Sequence, residues 1–448
     1  MLRGFRLGLG DQRIAISAPG LLAMQPDDVD GDDDGSSLPL TNARREHRAA
    51  HRLRRYARLV LNSVRYRRRC QRIVACVVLV LVLWLVTAVR YHIHVQNDVR
   101  HTIVLLANYR DSARCAETLR SLFTQAARPD LVAISLVDQV YPNEASCFNT
   151  YCKLVGNAIC QQAPLRHQVS MDAAQATGPT GARYVAEAAI DARVDAFALG
   201  IDSHLVFVHH WDVLLKAEWD AVQNPFAILT TYPKSTDHAT RFMGRLLHAI
   251  GVYSMSVMCY ARIETDDGDA MVQYSAPHQD WSLLSPSSPR LIAQFAGGFN
   301  FGLAAHAVWV RNDPFTPYLF HGEEYSMAAR LFTHGYDMYA PRVDIVYHWY
   351  EHRHVVWERD WDTRYFVQQA SKRRVRAMLG LPITTLEDVN RTELSRFGLG
   401  QERTMDQFIS FSGIDPLAEY VKGESRQFDN CKLLTRVPTL SESTKRRP

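Results

Sequence analysis

The sequence predicts an α/β body built on a mostly parallel, doubly wound sheet with helices on both faces, preceded by a single transmembrane helix. Two observations carry the sheet. From residue 102 onward, apolar β-rich runs alternate with stretches of helical spacing in the order β, α, β, α, β, as expected for parallel strands joined by crossover helices. The third run, residues 196–201, stops at Asp202, Ser203 and His204, and open α/β sheets bind ligands beyond such carboxyl ends. The membrane helix rests on residues 73–89, 17 residues without a charge, at the short end of what spans a bilayer.

Residues 1–43 are rich in Gly, Ser, Pro and Asp and keep no sustained period, the composition of a disordered tail. The run Asp30-Gly-Asp-Asp-Asp-Gly35 begins like a calcium loop, but Thr41 stands where a bidentate Glu is required. Residues 1–72 hold fifteen Arg against eight acidic residues, a charge of +7, whereas the remainder carries −3. The positive-inside rule therefore keeps the tail cytoplasmic and sends residues 90–448 across the membrane, a type II topology. Basic charge confined to a tail also argues against a nucleic-acid partner. A hydrophobic content of 47% supports a sizeable core.

Cys70 and Cys76 flank or enter the apolar run, leaving Cys115, Cys147, Cys152, Cys160, Cys259 and Cys431, an even set of six. Without paired Cys-x-x-Cys spacing a structural zinc site is disfavoured, and disulfides in an oxidising lumen are expected, with their pairing open. Asn390-Arg-Thr392 could accept an N-glycan.

In the body, residues 102–108 form the first strand and end at Tyr109-Arg110-Asp111. A helix follows with apolar spacing at Leu119, Leu122 and Phe123, then a strand over 131–137. Residues 182–192 read as a helix entered through Gly178-Pro-Thr-Gly181, and 227–232 as another strand. The stretch 237–289 reads as irregular and suited to acceptor-facing loops. Gly322-Glu323-Glu324 heads a helix that buries Met327, Leu331 and Phe332 and stops at Gly335.

Asp202 and His204, one residue apart past a strand end, can face one point if the chain bends there. They would offer a hard oxygen and an imidazole to a divalent cation such as Mn2+. The structural alternative is an Asp capping a turn beside a surface His. His209 and His210, adjacent on an extended segment, point to opposite sides and are left outside the ligand set.

The order of pieces then becomes recognisable. Tyr109-Arg-Asp111 after the first strand, Asp202-Ser-His204, Ala296-Gly-Gly-Phe-Asn-Phe301, Gly322-Glu-Glu324 with Arg330, and Tyr347-His-Trp-Tyr350 together resemble the α-N-acetylglucosaminyltransferases that modify protein hydroxyls. That family includes a cytosolic enzyme acting on hydroxyproline and Golgi enzymes that start mucin-type chains. The resemblance covers roughly residues 100–355. More distantly, the chain is similar to the polypeptide N-acetylgalactosaminyltransferases, although nothing after Asp360 has their trefoil-like lectin repeat.

The resemblance implies a GT-A-type, Rossmann-like fold and a retaining transfer of GlcNAc from UDP-GlcNAc to a Ser, Thr or hydroxyproline hydroxyl of a protein acceptor. It assigns Asp202, His204 and His348 to Mn2+ or another divalent cation, His348 otherwise being a histidine packed between aromatics. Gly297 and Gly298 would let backbone approach the sugar, a tight turn being their structural alternative. Glu323 would bind donor hydroxyls with Glu324 facing the acceptor, although both could merely cap a helix start. Tyr109 and Arg110 would hold the uridine, and Arg183 would touch the nucleotide. The organisation expected is a disordered basic cytoplasmic tail (1–72), a signal anchor (73–89), a short stem (90–100), a catalytic domain (101–360) and a helical or irregular extension (361–448), in the Golgi or ER membrane. Two alternatives stay open: an inverting or other-sugar transferase using Asp280 or Glu324 as base, and a membrane-tethered lectin or cargo receptor without turnover.

Overall fold

The computed structural model describes residues 42–240, 253–265, 269–282, 286–351, 361–383 and 389–445. The calcium-like run and most of the expected disordered tail lie outside the described residues.

Four parallel strands form one half of the main sheet: β1 (His101–Tyr109), β2 (Val132–Val140), β3 (Leu165–Asp172) and β4 (Asp195–Asp202), ordered β4-β1-β2-β3. The later strands are β5 (Leu205–Phe207), β6 (Ala227–Thr230), β7 (Lys234–Ser235), β8 (Tyr253–Val257), β9 (Tyr260–Glu264), β10 (Met271–Tyr274), β11 (His278–Ser282), β12 (Arg290–Ile292), β13 (Phe299–Leu303), β14 (Asp337–Ala340), β15 (Val346–His348) and β16 (Phe428–Asp429). Of these, β13, β6, β14 and β12 extend the sheet in that order beyond β4. Because β13 runs antiparallel to both neighbours and β12 to β14, the eight-stranded sheet is mixed, with parallel pairings in the majority.

Alternation along β1 explains why both faces are covered. Val104 and Leu106 pack on one side with Leu119 and Leu122 of helix α1 (Ser112–Gln125), Tyr151 of α2 (Cys147–Val155) and Trp211 and Leu215 of α3 (Trp211–Val222). Ile103 faces the other way, toward Ala304, while Val137 of β2 meets Ala182 and Ala186 of α4 (Pro179–Glu187). Such strands, buried on both sides, read as continuous apolar runs, which is why they were legible.

Ala88–Pro448 form one compact unit. Val375 and Met378 of α5 (Trp361–Met378) and Phe408 and Phe411 of α6 (Met405–Ser412) share a core with Leu331, Phe332 and Met271. Disulfides Cys115–Cys147 and Cys152–Cys160 fasten the helices beside the parallel strands, and Cys259–Cys431 ties β9 to the C-terminal segment. All six cysteines of the body are thereby paired, while Cys70 and Cys76 are free thiols.

Two expectations need correction. Residues 42–72, expected as part of a disordered tail, belong to a helix spanning Asn42–Asn97, which also takes up most of the expected stem. Arg, Ala and Leu dominate there, and all three are strong helix formers. Within 237–289, expected to be irregular, β8 pairs with β11 and β9 with β10, both antiparallel. Strands of four or five residues are too short to impose a clear period. Residues 241–252, 266–268 and 283–285 of that stretch lie outside the described residues. Among the described residues no helix is long and apolar enough to cross a membrane. The side chains of Trp84 and residues 87–89, part of the expected span, are not among those described.

Candidate active site

The site is assembled by strand pairing. Beside β4, β1 pairs in parallel and aligns Ala107 with Asp202, so the chain leaving β1 passes the acidic loop. On the other side β13 pairs antiparallel, Phe299 opposite Ile201, and Asp202 N donates to Gly298 O at 3.1 Å. Just beyond the loop, β5 pairs with the distant β15, setting His348 opposite Leu205, and Trp349 N donates to His204 O at 3.1 Å. A histidine 144 positions later in sequence is thus delivered beside Asp202 and His204 by backbone hydrogen bonds.

Ligand atoms of Asp202, His204 and His348 all lie within 4.8 Å of one another. His348 Nε2 is 3.6 Å from Asp202 Oδ2, and the two imidazoles meet edge to face at 4.6 Å. His348 Nδ1 is buried without a hydrogen-bond partner. Burial holds the His204 imidazole below its ordinary value, so it keeps a free lone pair. Burial works to raise the Asp202 pKa, but the close approach of His348 and the Arg183 charge outweigh it and hold the carboxylate ionised. An ionised oxygen, a neutral imidazole and an orphaned ring nitrogen fit a divalent cation.

Helix α7 (Glu323–Thr333) begins after Gly322, whose φ of 90° is left-handed and whose Cβ would overlap Met271. Arg183 of α4 pairs with Glu323 and donates from Nη2 to Asp202 Oδ1 at 3.1 Å. Burial disfavours its charge, yet Glu323, Asp202 and Glu324 raise its pKa and keep it a cation. Burial raises Glu323 as well, opposed by the Arg183 charge. Glu324 is pushed up to about 7, first by burial and then by the Glu323 charge, against hydrogen bonds from Tyr232 and from Gly297 N at 2.9 Å.

The two glycines have a clear steric reason. A Cβ on Gly298 would overlap the Asp202 carboxylate, and one on Gly297 would stand 2.5 Å from Arg183 Nη1. Neither has a positive φ, so clearance rather than a turn requires them.

These groups border a cavity of about 470 Å³. The cavity is lined by Tyr109, Arg183, Asp202, His204, Gly298, Glu323, Glu324 and His348, and Gly297 adjoins it through Arg183 and Glu324. Arg110 does not line it: its guanidinium pairs with Glu144 at 2.7 Å and lies over the Tyr141 ring. Asp280 is absent from the lining too and pairs with Arg290 at the surface.

A family model described as Glycosyltransferase (GlcNAc) matches residues 102–169 and 156–418, which contain every residue of this cavity. The chain belongs to that glycosyltransferase family. No curated protein matches it. Among solved structures, GalNAc-T7 with UDP, GalNAc and Mn2+ is similar at 14% identity and a TM-score of 0.43, over 70% of this chain and 56% of that one. This glycosyltransferase therefore spans little more than half of the GalNAc-T7 chain. S. aureus TarS 1-349 in complex with UDP-GlcNAc is similar at 13% identity and a TM-score of 0.37, over 62% and 70% of the two chains. Mannosyltransferase PcManGT from Pyrobaculum calidifontis, in complex with GDP-Man and Mn2+, gives 11%, 0.36, 62% and 63%.

Other lining residues of the glycosyltransferase were not singled out from sequence: Arg114, Gln139, Tyr232, Tyr274 and His321. Arg114 bonds Asp111 at 2.5 Å and the Glu351 carbonyl at 3.0 Å, linking the first strand's exit to the loop after His348. Its only signal was the motif Tyr109-Arg-Asp111 three residues earlier. Tyr232 and Tyr274 had none, since one sits in the irregular link between β6 and β7 and the other ends the four-residue β10.

Proposed function

We propose that this family member is a type II membrane enzyme of the Golgi or ER that transfers GlcNAc from UDP-GlcNAc to a protein hydroxyl, of Ser, Thr or hydroxyproline, with retention. The observation that carries the proposal is the Asp202, His204 and His348 cluster in one cavity with Glu323 and its Arg183 partner. When bound there, Mn2+ or a similar cation would neutralise charge developing on the donor diphosphate. Asp202 and the two histidines would hold it, with Tyr109 near the nucleoside. Glu323, fixed by Arg183, would accept hydrogen bonds from donor sugar hydroxyls. A donor with two bulky polar ends suits a cavity whose lining combines cationic, acidic and aromatic side chains.

The elevated pKa of Glu324 suits the general base of an inverting enzyme. Each of its oxygens already accepts one hydrogen bond, Oε1 from Gly297 N and Oε2 from Tyr232, and these bonds hold the carboxyl against its own walls instead of leaving it to swing toward an acceptor hydroxyl. That engagement favours retention.

The anchor reading is supported by the exposed apolar surface of the Asn42–Asn97 helix. From Val77 to Leu83 every side chain is 50% to 63% exposed, and a helix apolar all round calls for an apolar surrounding. Three disulfides in the body accord with a lumenal compartment. The domain limits 1–72, 73–89, 90–100, 101–360 and 361–448 remain part of this proposal.

The test is UDP release by the full chain given a panel of UDP-sugars with Mn2+ and a hydroxyl-bearing peptide pool. UDP-GlcNAc should give the fastest release, with an α-linked product, and Asp202→Ala should abolish it. Release from no sugar nucleotide would favour a lectin or cargo receptor, a β-linked product an inverting enzyme, and full activity in Asp202→Ala would remove the metal assignment.

A further inference from the structure

The motif that the transferase site leaves unused is Asn390-Arg-Thr392, the single Asn-x-Ser/Thr sequence in the chain. Asn390, Arg391 and Thr392 are all exposed and lie in irregular backbone. Their exposure is built in from below. Arg374, fully buried, is clamped by Asp313 through bonds of 2.8 and 3.1 Å and donates from Nη1 to the Asn390 carbonyl at 2.6 Å. That contact fixes the backbone of Asn390 against the body while its side chain faces outward. Asn390 Oδ1 accepts from Thr392 N at 2.9 Å. Among the hydrogen bonds of the described residues, Nδ2 takes part in none.

A sequon becomes an acceptor only where the chain enters the compartment of N-glycosylation. The three disulfides, which consume every cysteine of the body, point to that compartment independently of the sequon.

We propose that Asn390 carries an N-linked oligosaccharide, and this rests on the lumenal placement of the body proposed above. The co-reactant is an oligosaccharide on a lipid diphosphate. In the transfer the sugar C1–O bond to the diphosphate breaks, a C1–Nδ2 bond forms, Nδ2 gives up one proton and the lipid diphosphate leaves. The folded surface accommodates the product, because all three residues of the motif face solvent and the fixed backbone needs no rearrangement to admit a glycan.

The experiment expresses the full chain in a eukaryotic cell with a secretory pathway and follows gel mobility before and after peptide N-glycosidase, with the mass of the Asn390 peptide. The wild type should shift by one glycan, and the Asn390 peptide should show conversion to Asp after enzymatic release. Asn390→Gln and Thr392→Ala should both remove the shift, while Thr392→Ser should keep it. In parallel, the cysteines of the body are alkylated before and after reduction. Blocked cysteines with an unmodified Asn390 would overturn the glycan and leave the lumenal placement standing. Free cysteines with no shift would overturn the lumenal placement and the glycan with it. A shift that persists in both Asn390→Gln and Thr392→Ala would overturn the assignment to this residue.

Discussion

Gly298→Ala probes the clearance on which the candidate site depends. The added Cβ would overlap Asp202 Oδ2 and stand 2.8 Å from its Cγ and 3.3 Å from Oδ1. Ordinary contact begins near 3.4 Å, so the carboxylate must retreat by roughly 1 Å. Retreat disturbs two short relations at once, the 3.1 Å bond from Arg183 and the 3.6 Å approach to His348. Misplacing a catalytic group by about 1 Å costs on the order of a hundredfold in rate. Stability should move far less. Alanine in place of a glycine whose φ is unstrained gains about 0.4–1 kcal/mol through the unfolded chain, against about 1–3 kcal/mol for overpacking. Gly297→Ala is the internal comparison, since its Cβ meets the far end of the flexible Arg183 side chain, which can yield. The assays are calorimetric Mn2+ titration with UDP present, UDP release and a melting curve. Gly298→Ala should lose most metal affinity and about a hundredfold in UDP release with a small melting shift, and Gly297→Ala should lose less. Mn2+ binding and turnover within twofold of wild type in Gly298→Ala would refute the clearance argument.

His348→Ala should weaken Mn2+ binding and leave activity partly recoverable at high Mn2+. A lowered melting temperature with unchanged metal dependence would instead make His348 a packing residue against Tyr350, whose ring is 4.1 Å away. Glu324→Gln tests protonation. With its folded pKa raised from 4.5 to about 7, the wild-type carboxyl contributes stability that is complete below pH 4.5 and lost as pH rises through 7, up to about 3 kcal/mol. The Gln variant should lose that slope between pH 4.5 and 7 in melting experiments, and an unaltered slope would mean that Glu324 titrates normally. Residues 90–448 expressed through a secretory route should be soluble, whereas retention in membranes after a carbonate wash would move the anchor elsewhere.

What the sequence made legible follows the range of the forces involved. The parallel strands were visible because burial on both faces leaves an uninterrupted apolar run, and the start of α7 because a glycine with positive φ and two acidic residues mark a helix entry locally. The strands between 253 and 282 were not, since β8 and β11 are defined by partners more than 20 positions apart, β9 and β10 are only five and four residues long, and none of them shows a clear period. Arg110 shows the same limit at one residue. It adjoins Tyr109 in sequence, but its φ of 51° turns the chain, and the Glu144 carboxylate draws the guanidinium out of the cavity. Cysteine count foretold disulfides, while pairing Cys259 with Cys431, 172 positions apart, required the fold.

The least legible feature joins three motifs that the sequence kept separate. Gly297 and Gly298 suggested close approach to a sugar, Arg183 a nucleotide contact, and Glu323 a sugar contact. In the folded chain the two glycines leave the space into which Arg183 and Asp202 extend, and Arg183 then joins Asp202 to Glu323. The arrangement divides the Asp202 carboxylate between two tasks. Oδ1 is taken by Arg183, while Oδ2 lies toward His348. An oxygen fixed by a cation on one side keeps the other in a single orientation, which is how outer partners tune a metal ligand. It also balances charge: Arg183 offsets one of the two carboxylates, so a divalent cation would enter a site whose acidic partners carry a net charge near −1. The diphosphate of a nucleotide sugar would supply the remainder, which makes tight metal binding depend on the donor being present.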